Sequence, residues 1–541
     1  MNGVRTAVAV MGERGGMLQP LAEDGVPSGP AVAVADLVAA VAEREKAEAP
    51  RWVWASTARL YPRLLEAGVR VARCHDLELI ESVLLAFDGR FGEPRSVRAA
   101  LARLRGETVP ADEPEEDQPS LFGAAPEVDL TALVEIHAAQ VARLKGGLGL
   151  LAAAESAGGL IAAEMSYHGL PWRADVHDAL LTRMLGPRPA PGMRPRVLQD
   201  LADQISAAFG SHVNPDSPAQ LLKAFASAGF SVTSTRAHVL KLIDHPAVPY
   251  VLEYKELSRL HTAHGWSWLD TWARDGRFRP EYLVGGVVSG RWATKGGGAL
   301  QIPKILRQAV IADPGWKLVV ADAAQLEPRV LAALAGDRAF AEAAAHGDLY
   351  AALADAFSKA APGDSRSPRD KAKIAMLSAM YGGGTGDAVQ LLGVLRQRFP
   401  EAYGYVEAAA RAGERGELVR SRLGRTCPPA SAAFRELIMT EAGRSAAASR
   451  GRFTRNFVVQ ATAAEWALAM MASLRRRLIT QAHLVFFQHD EVIVHAPADQ
   501  TEDVSEAITE AALEAARLLF GQTPVLFPME IAVADAYADA K

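Results

Sequence analysis

Two acidic segments, far apart in the chain, have the residue types of a cation site. Leu318-Val319-Val320 is a short β-branched apolar run that reads as a buried strand, and it delivers Asp322 just past its end. Val330, Leu331 and Leu334 follow at helical spacing. Downstream, Val485–Phe487 and Val492–Val494 flank Gln488-His489-Asp490-Glu491, which reads as two strands joined by a tight turn with Asp490 and Glu491 at its tip. Taken singly, each acid is an ordinary solvated loop residue. Taken together, they are candidate ligands for a hard divalent cation. Bridging carboxylates can hold two such ions about 4 Å apart, and magnesium accepts oxygen ligands while keeping waters and substrate phosphates.

Two stripes of side chains at fourth-residue spacing accompany them. Arg369, Lys373, Leu377 and Tyr381 follow Ser367-Pro368, a sound helix cap and first turn. In line they present two cations, an apolar residue and a phenol, an order that suits a nucleoside triphosphate with its phosphates on the cations. A basic exposed face turning into a core face fits the stripe equally well. Arg452, Asn456 and Gln460 form the second stripe. These side chains can reach purine N3 and pyrimidine O2, minor-groove acceptors nearly common to all base pairs. Arg420, Arg422, Arg425, Arg444, Arg450 and Arg455 surround it as candidates for phosphates, although a plain polar helix face is as good a reading. Ser289-Gly290-Arg291 is a turn, and the extended Leu300–Pro303 and Arg307–Ala312 lead from it to the strand before Asp322.

The elements that must position these groups are ordinary in composition. A chain of 541 residues, 49% hydrophobic and 22% charged, has material for three or four domains. The net charge of −5 gives no pointer to nucleic acid and does not exclude a basic cleft on an acidic body. Cys74 and Cys427 cannot make a disulfide framework. The N-terminus lacks a signal-like apolar core, and no uninterrupted apolar run reaches membrane-spanning length. These features predict a soluble intracellular protein.

Residues 1 to about 105 read as α/β, with strands at Thr6–Met11 and Trp52–Trp54 and helices at Ala31–Ala47, Leu60–Ala67 and Leu77–Phe87. Pro110–Pro119 carries five carboxylates and three prolines and reads as a loop or linker. Leu130–Leu185 is helical in pattern, with breaks at Gly146-Gly147, Gly158-Gly159 and Gly169. Helices are expected at Arg196–Phe209, at Pro218–Gly229 capped by Ser217, at Thr235–Ile243 and at Val248–His264. After about 275, short strands (Leu283–Val288, Val310–Ile311 and those around the acids) alternate with long helices.

In this order the segments resemble family A DNA polymerases of the bacterial DNA polymerase I type. Ser289-Gly290-Arg291 followed by Leu300-Gln301-Ile302-Pro303 resembles the family's Thr-Gly-Arg…Leu-Gln-Asn-Ile-Pro approach to the palm. Asp322–Arg329 resembles motif A, Arg369-x3-Lys373-x7-Tyr381-Gly382 motif B, and Gln488–Glu491 motif C. Asn456 and Gln460 match a family pair. The resemblance covers the whole chain, most strongly from about 280 onward.

It implies an α/β and α+β multidomain protein. An RNase H-like α/β exonuclease-type domain would cover 1–109 and about 125–145, with an acidic linker at 110–124. The helical thumb would be 146–275, the fingers 336–425, and the palm, built on an antiparallel sheet, 276–335 and 426–541. The implied activity is template-directed addition of dNTPs to a primer 3′ end, in DNA repair and replication, by in-line phosphoryl transfer. Asp322, Asp490 and the Ala323 carbonyl would bind two Mg2+ ions, with Mn2+ able to substitute. Lys373 would protonate the leaving pyrophosphate and, with Arg369, hold the triphosphate. Gln325, Glu327, Tyr350, Leu377 and Tyr381 would complete the nucleotide site, Glu327 closing it at the sugar 2′ position. Arg291, Arg452, Asn456, Gln460 and His489 would contact primer-template DNA. The implied protein is a cytoplasmic, nucleoid-associated monomer with DNA and dNTPs as partners and no membrane.

The sequence departs from the family in places. Ala323-Ala324 stand where Tyr-Ser is usual, Pro328 for Leu, Tyr350 for a frequent His, and Leu377 for an aromatic ring that stacks on the incoming sugar. The acids of a 3′–5′ exonuclease are missing after the first strand, around Ser56–Tyr61 and around Leu133–Ala138. Asp76-Leu77-Glu78 imitates their motif but is expected to act as helix cap and surface. No 5′-nuclease domain is expected in this length. Three other readings stay open: a polymerase with residual 3′–5′ exonuclease activity, a two-metal nuclease, and a catalytically silent DNA-binding homologue.

Overall fold

The computed structural model describes residues 4–112, 129–358, 367–382, 387–478 and 481–540, so most of the acidic Pro110–Pro119 segment lies outside the described residues. The chain divides into two compact units. One comprises Met1–Tyr167, Tyr282–Ala293 and Val319–Ala532, and the other His168–Glu281, Thr294–Leu318 and Val533–Lys541.

The first unit begins with strands β1 (Arg5–Met11), β2 (Gly15–Leu21), β3 (Val32–Val34), β4 (Arg51–Trp54) and β5 (Arg73–Asp76), in the order β3-β2-β1-β4-β5. β1, β2 and β3 pair antiparallel, whereas β1, β4 and β5 are parallel. Helices α1 (Leu37–Glu48), α2 (Thr57–Glu66), α3 (Leu77–Phe87), α4 (Val97–Arg105), α5 (Leu130–Arg143) and α6 (Gly147–His168) accompany the sheet. Alternation sorts the strand residues. Val8, Trp52 and Trp54 join a cluster with Leu37, Leu60, Leu64 and Leu160, while Ala7, Ala9 and Val53 join one with Leu130, Leu133 and Ile136. The helix expected over Ala31–Ala47 is strand in its first part, because Val32-Ala33-Val34 pairs with β2 and Asp36 caps α1 by accepting from Ala39 N. The break expected at Gly158-Gly159 does not occur. A Cβ on Gly158 would come within 2.8 Å of Leu468, and on Gly159 within 3.2 Å of Thr57, so these glycines permit close packing of an unbroken α6.

The second unit carries α7 (Ala174–Leu185), α8 (Arg196–Phe209), α9 (Pro218–Ser227) and α10 (Ala247–His264). Ser217 caps α9 through Gln220 N with Pro218 in its first turn, as expected. The helix expected at Thr235–Ile243 shortens to Ala237–Leu240. Trp172, His177, Trp268 and Phe278 pack ring against ring, with Trp172 and Trp268 centroids 5.0 Å apart.

The strands that bear the acids are β6 (Trp316–Ala323, in the first unit from Val319 on), β7 (His483–Gln488), β8 (Glu491–Pro497) and β9 (Met529–Ala534, in the first unit up to Ala532), ordered β7-β8-β6-β9. The expected strand Leu283–Val288 reduces to Tyr282–Leu283, because Gly285 turns the backbone to φ 62°. Val310–Ile311 contributes only the isolated bridge from Ile311 to Ala536. The longer helices of the first unit in this part of the chain are α11 (Leu326–Ala335), α12 (Leu349–Phe357), α13 (Pro368–Tyr381), α14 (Asp387–Arg398), α15 (Pro400–Glu414), α16 (Arg444–Arg477) and α17 (Thr501–Phe520). α16 is the core helix, packed along α15 and α17. By length and composition only, α6 and α16 are long and apolar enough to cross a membrane, although charged residues interrupt both. In α16, 89% of the apolar window is buried inside the protein, so internal packing accounts for its composition.

Candidate functional site

Asp322 is the penultimate residue of β6, inside the strand rather than beyond it. β6 neighbours β8, and Ala323 N donates to the Asp490 carbonyl at 3.0 Å, which brings the hairpin tip to the strand end. Gln488 pairs with Glu491, leaving a two-residue turn in which His489 adopts φ 60°. That conformation is costly for a residue with a Cβ and is held here by the flanking ladder. Glu491, expected at the tip, belongs to β8 and is buried. The tip therefore presents Asp490.

The Asp490 carboxyl is pushed up to about 6, first by burial and then by the negative charge of Asp322. Two crowded carboxylates with hard oxygen donors fit a divalent cation such as magnesium. Among the described residues no group of three or more His, Cys, Asp or Glu side chains converges. The protein would thus offer two carboxylates, helped by the Ala323 carbonyl, and leave the other positions to water and substrate oxygens.

The start of α11 forms the adjoining wall. Gln325, at φ 56°, turns the chain out of β6. Pro328 lies in the first turn of α11, where no backbone donor is needed. Arg329 is fully buried and donates to main-chain carbonyls of three segments: Ala324 (3.0 Å), Ala344 (2.8 Å), His346 (2.9 Å), Gly347 (2.5 Å) and Leu526 (3.0 Å). Nothing in the sequence marks this arginine as an anchor, since helical periodicity does not tell which distant carbonyls converge on it. Glu327 faces the cleft, accepting from Arg291 Nη2 on one oxygen and from the Tyr381 hydroxyl on the other, both at 2.5 Å. Arg291, Gln325, Glu327, Tyr381, His489 and Asp490 line this cleft together with Ala463 and Ala464 of α16.

α13 presents the predicted cationic stripe on its open side. Arg369, Lys373 and Tyr381 are exposed and Leu377 half-buried, while Ala372, Ala375, Met376, Ala379 and Met380 face the core. Ser367 caps the helix through Asp370 N. It ends at Gly382, φ 66°, where a Cβ would lie 2.7 Å from Arg452 Cγ, so glycine allows the end of α13 to meet the second stripe on α16. Arg452 is exposed, and Asn456 and Gln460 are half-buried along the same helix. Asn456 Oδ1 is buried with no hydrogen-bond partner among the described residues.

At the other end of α13, Arg369 Nε donates to Asp348 Oδ2 at 2.8 Å and its guanidinium lies 5.9 Å from the centre of the Tyr350 ring. Gln325 Nε2 donates to Asp348 Oδ1 at 2.9 Å. Asp348 thus joins Gln325 to Arg369 and lies two residues before Tyr350. Its only sequence signal is that of a helix cap.

Several arginines expected to hold phosphates are committed elsewhere. Arg425 pairs with buried Glu155 and Arg455 with Glu407. Arg422 donates to the Leu519 carbonyl and Arg450 to that of Pro428.

Residues 195–539 match the model of DNA polymerase family A, and the chain belongs to that family. It is 27% identical over 330 residues to the DNA polymerase I of Chloroflexus aurantiacus, a match covering 57% of this chain and 34% of that protein. It is 28% identical over 329 residues to the thermostable DNA polymerase I of Thermus thermophilus, covering 56% and 37%. Against the DNA polymerase I of Deinococcus radiodurans it is 25% identical over 356 residues, covering 59% and 36%. The chain spans roughly a third of the length of these relatives. Among solved structures, the POL domain of Pol1 from M. smegmatis, in complex with DNA primer-template and dNTP, has the same fold. Its TM-score is 0.72 at 17% identity, over 99% of this chain and 96% of that one.

Proposed function

We propose that the chain is a template-directed DNA polymerase that adds dNTPs to a primer 3′ end. The observation that carries this reading is the meeting of the Asp322 strand end with the Asp490 turn, where Ala323 N donates to the Asp490 carbonyl at 3.0 Å, in the same unit as the open cationic face of α13. Asp322 and Asp490 would hold two magnesium ions, which when bound supply Lewis-acid stabilisation of the phosphoryl group being transferred. Arg369 and Lys373 would hold the triphosphate, and Lys373, exposed one turn along, is suited to give a proton to the departing pyrophosphate. Glu327, tied to Tyr381 and Arg291, would wall the pocket at the sugar 2′ position. Arg291, His489, Arg452, Asn456 and Gln460 would follow the primer-template, and Asn456 Oδ1, buried without a hydrogen-bond partner among the described residues, supports a ligand for that amide.

We read 1–109 and about 125–145 as an RNase H-like domain without proofreading chemistry. The strand order β3-β2-β1-β4-β5 supports the fold. β1 carries no acid, and Glu13 is exposed in the turn after it. Asp76, expected partly as a surface residue, is buried, and its two oxygens accept from Thr57 N (2.6 Å) and Leu79 N (2.9 Å), which is the work of a cap. Thumb, fingers and palm would follow at 146–275, 336–425 and 276–335 with 426–541. The test is extension of a labelled primer with four dNTPs and Mg2+, lost in Asp322→Ala. No extension by the wild-type protein overturns the reading. Degradation of a 3′ end that survives Asp322→Ala and fails in a Glu13 or Asp76 variant would restore the exonuclease.

A further inference from the structure

Asp348 opens α12 as its cap, and its two oxygens serve three donors. Oδ1 accepts from Ala351 N at 3.0 Å and from Gln325 Nε2 at 2.9 Å, and Oδ2 accepts from Arg369 Nε at 2.8 Å. Gln325 completes the loop by accepting from Leu349 N at 2.8 Å. The Arg369–Asp348 pair is open to solvent, with side chains 47% and 39% exposed, so a ligand can reach it. Burial raises the Asp348 carboxyl, but the hydrogen bonds from Arg369, Gln325 and Ala351 N outweigh it and hold the group down at about 2. The acid is ionised at every working pH. Arg369 is therefore already paired with an anion of the protein itself.

We propose that Asp348 is a positioning residue that parks the Arg369 guanidinium in the resting site and competes internally for it, so that a polyphosphate must displace the carboxylate to bind. The inference rests on the reading of α13 as a triphosphate-binding face. Displacement does not strand Asp348, because Gln325 Nε2 and Ala351 N still serve it. The exchange swaps one charge-assisted hydrogen bond for another. A ligand that touches Arg369 alone gains little from it. A ligand long enough to engage Lys373 one turn along keeps a net gain, so the internal anion selects for polyphosphates over single phosphates.

Asp348→Asn tests this, because the amide oxygen can still accept from Ala351 N and Gln325 while the charge is gone. The probe is inorganic tripolyphosphate, with binding measured by calorimetry in metal-free buffer, alongside dNTP kinetics in primer extension. The expected result is that tripolyphosphate Kd and dNTP KM both fall by about two- to fivefold, the range of an exposed ion pair, with the change on KM rather than kcat. Both effects should vanish when Arg369→Ala is added. Unchanged or weaker tripolyphosphate binding overturns the inference, and so does an effect that persists without Arg369. If Asp348→Asn melts early, the same comparison in Asp348→Ser, also a good cap, decides the matter. Wild-type protein that binds tripolyphosphate but extends no primer would sink the polymerase reading and leave the binding result to judge Asp348 alone.

Discussion

The Tyr381 hydroxyl donates to Glu327 Oε2 at 2.5 Å and ties the end of α13 to the first turn of α11. Burial, then the hydrogen bond to Glu327 and after it that group's negative charge, push the phenol well above its usual range, so Tyr381 stays a donor. With Arg291 on the other oxygen, Glu327 is engaged on both sides and suits a pocket wall better than a cation ligand. In the polymerase reading the two acids of this stretch should therefore fail differently. Asp322→Ala should abolish extension. Glu327→Ala should keep it and raise the ratio of ribonucleotide to deoxyribonucleotide incorporation by about tenfold or more. Equal loss of extension in both variants would mean that Glu327 has been given the wrong task.

The N-terminal part of the first unit should be acid-labile through two histidines. His75 and His137 are buried with ring centroids 4.6 Å apart, and His75 Nε2 lies 3.0 Å from Gln140 Oε1. Burial lowers His75 to about 4, with Arg51 and Arg5 adding to it against the Gln140 hydrogen bond. Burial, then His75, Arg5 and Arg51, lower His137 to about 2. Glu81 is held off at the far end of Gln140, accepting from its Nε2 at 3.0 Å. Both folded values lie below the unfolded one of about 6.5. The unfolded chain takes up protons first, so stability is complete above about 6.5 and declines as pH falls. At pH 5 each histidine should cost about 2 kcal/mol. Denaturant titrations at pH 5 and 7.5, followed by the fluorescence of Trp52 and Trp54, should show this loss, and His75→Gln should halve it. An identical pH dependence in the variant would refute the assignment.

How much of this was readable beforehand depended on whether the signal was local. The limits of α3 and α8 were legible because a capping acid, Asp76, and a left-handed glycine, Gly210, end the apolar periodicity sharply. The acids and the α13 stripe were legible through motif order, which compensates for not knowing which segments meet. β3 was missed because three residues are too few to show alternation against a helical neighbour. The glycines of α6 were misread because a helix interior tolerates glycine where another helix must approach closely. The anchoring role of Arg329, which the motif includes without a task, and the bridging role of Asp348 were not legible because both depend on carbonyls and side chains from other segments. Arg425 and Arg455 look like phosphate ligands until Glu155 and Glu407 are placed beside them.

The N-terminal sheet is fastened to the rest of the first unit by a buried ion pair. Arg475 of α16 donates to both oxygens of Glu164 on α6 (2.9 and 2.6 Å) and to the carbonyls of Ala72 (2.8 Å) and Val71 (2.6 Å), next to β5. Tyr61 of α2 donates to the same carboxylate at 2.6 Å. Arg475→Met leaves Glu164 buried without its main partner and should cost about 3–5 kcal/mol in chemical denaturation. Adding Glu164→Gln should recover part of that loss. A single variant within about 1 kcal/mol of wild type would show that the sheet is held by its apolar clusters alone. Since α16 also carries Ala463 and Ala464 of the cleft, the N-terminal sheet can be needed to hold the site whatever chemistry it has of its own.

Leu377 stands midway along the open face of α13, half-buried between the cations and Tyr381. An aromatic ring there could stack on the flat side of a sugar and base, whereas leucine offers only its branched end. In the polymerase reading the wild-type protein should bind dNTPs with modest affinity and discriminate weakly against altered sugars. A larger side chain can project into the cleft without entering a packed core, because the residues facing inward are Ala372, Ala375, Met376, Ala379 and Met380. Leu377→Phe should thus leave the melting temperature within a few degrees, lower the dNTP KM by about threefold to tenfold, as for an aromatic contact of about 1 kcal/mol, and change the selection between dideoxy- and deoxynucleotides. KM and dideoxynucleotide selection that both stay at the wild-type value would mean that this position does not touch the sugar, and that nucleotide affinity is set by Arg369 and Lys373 alone.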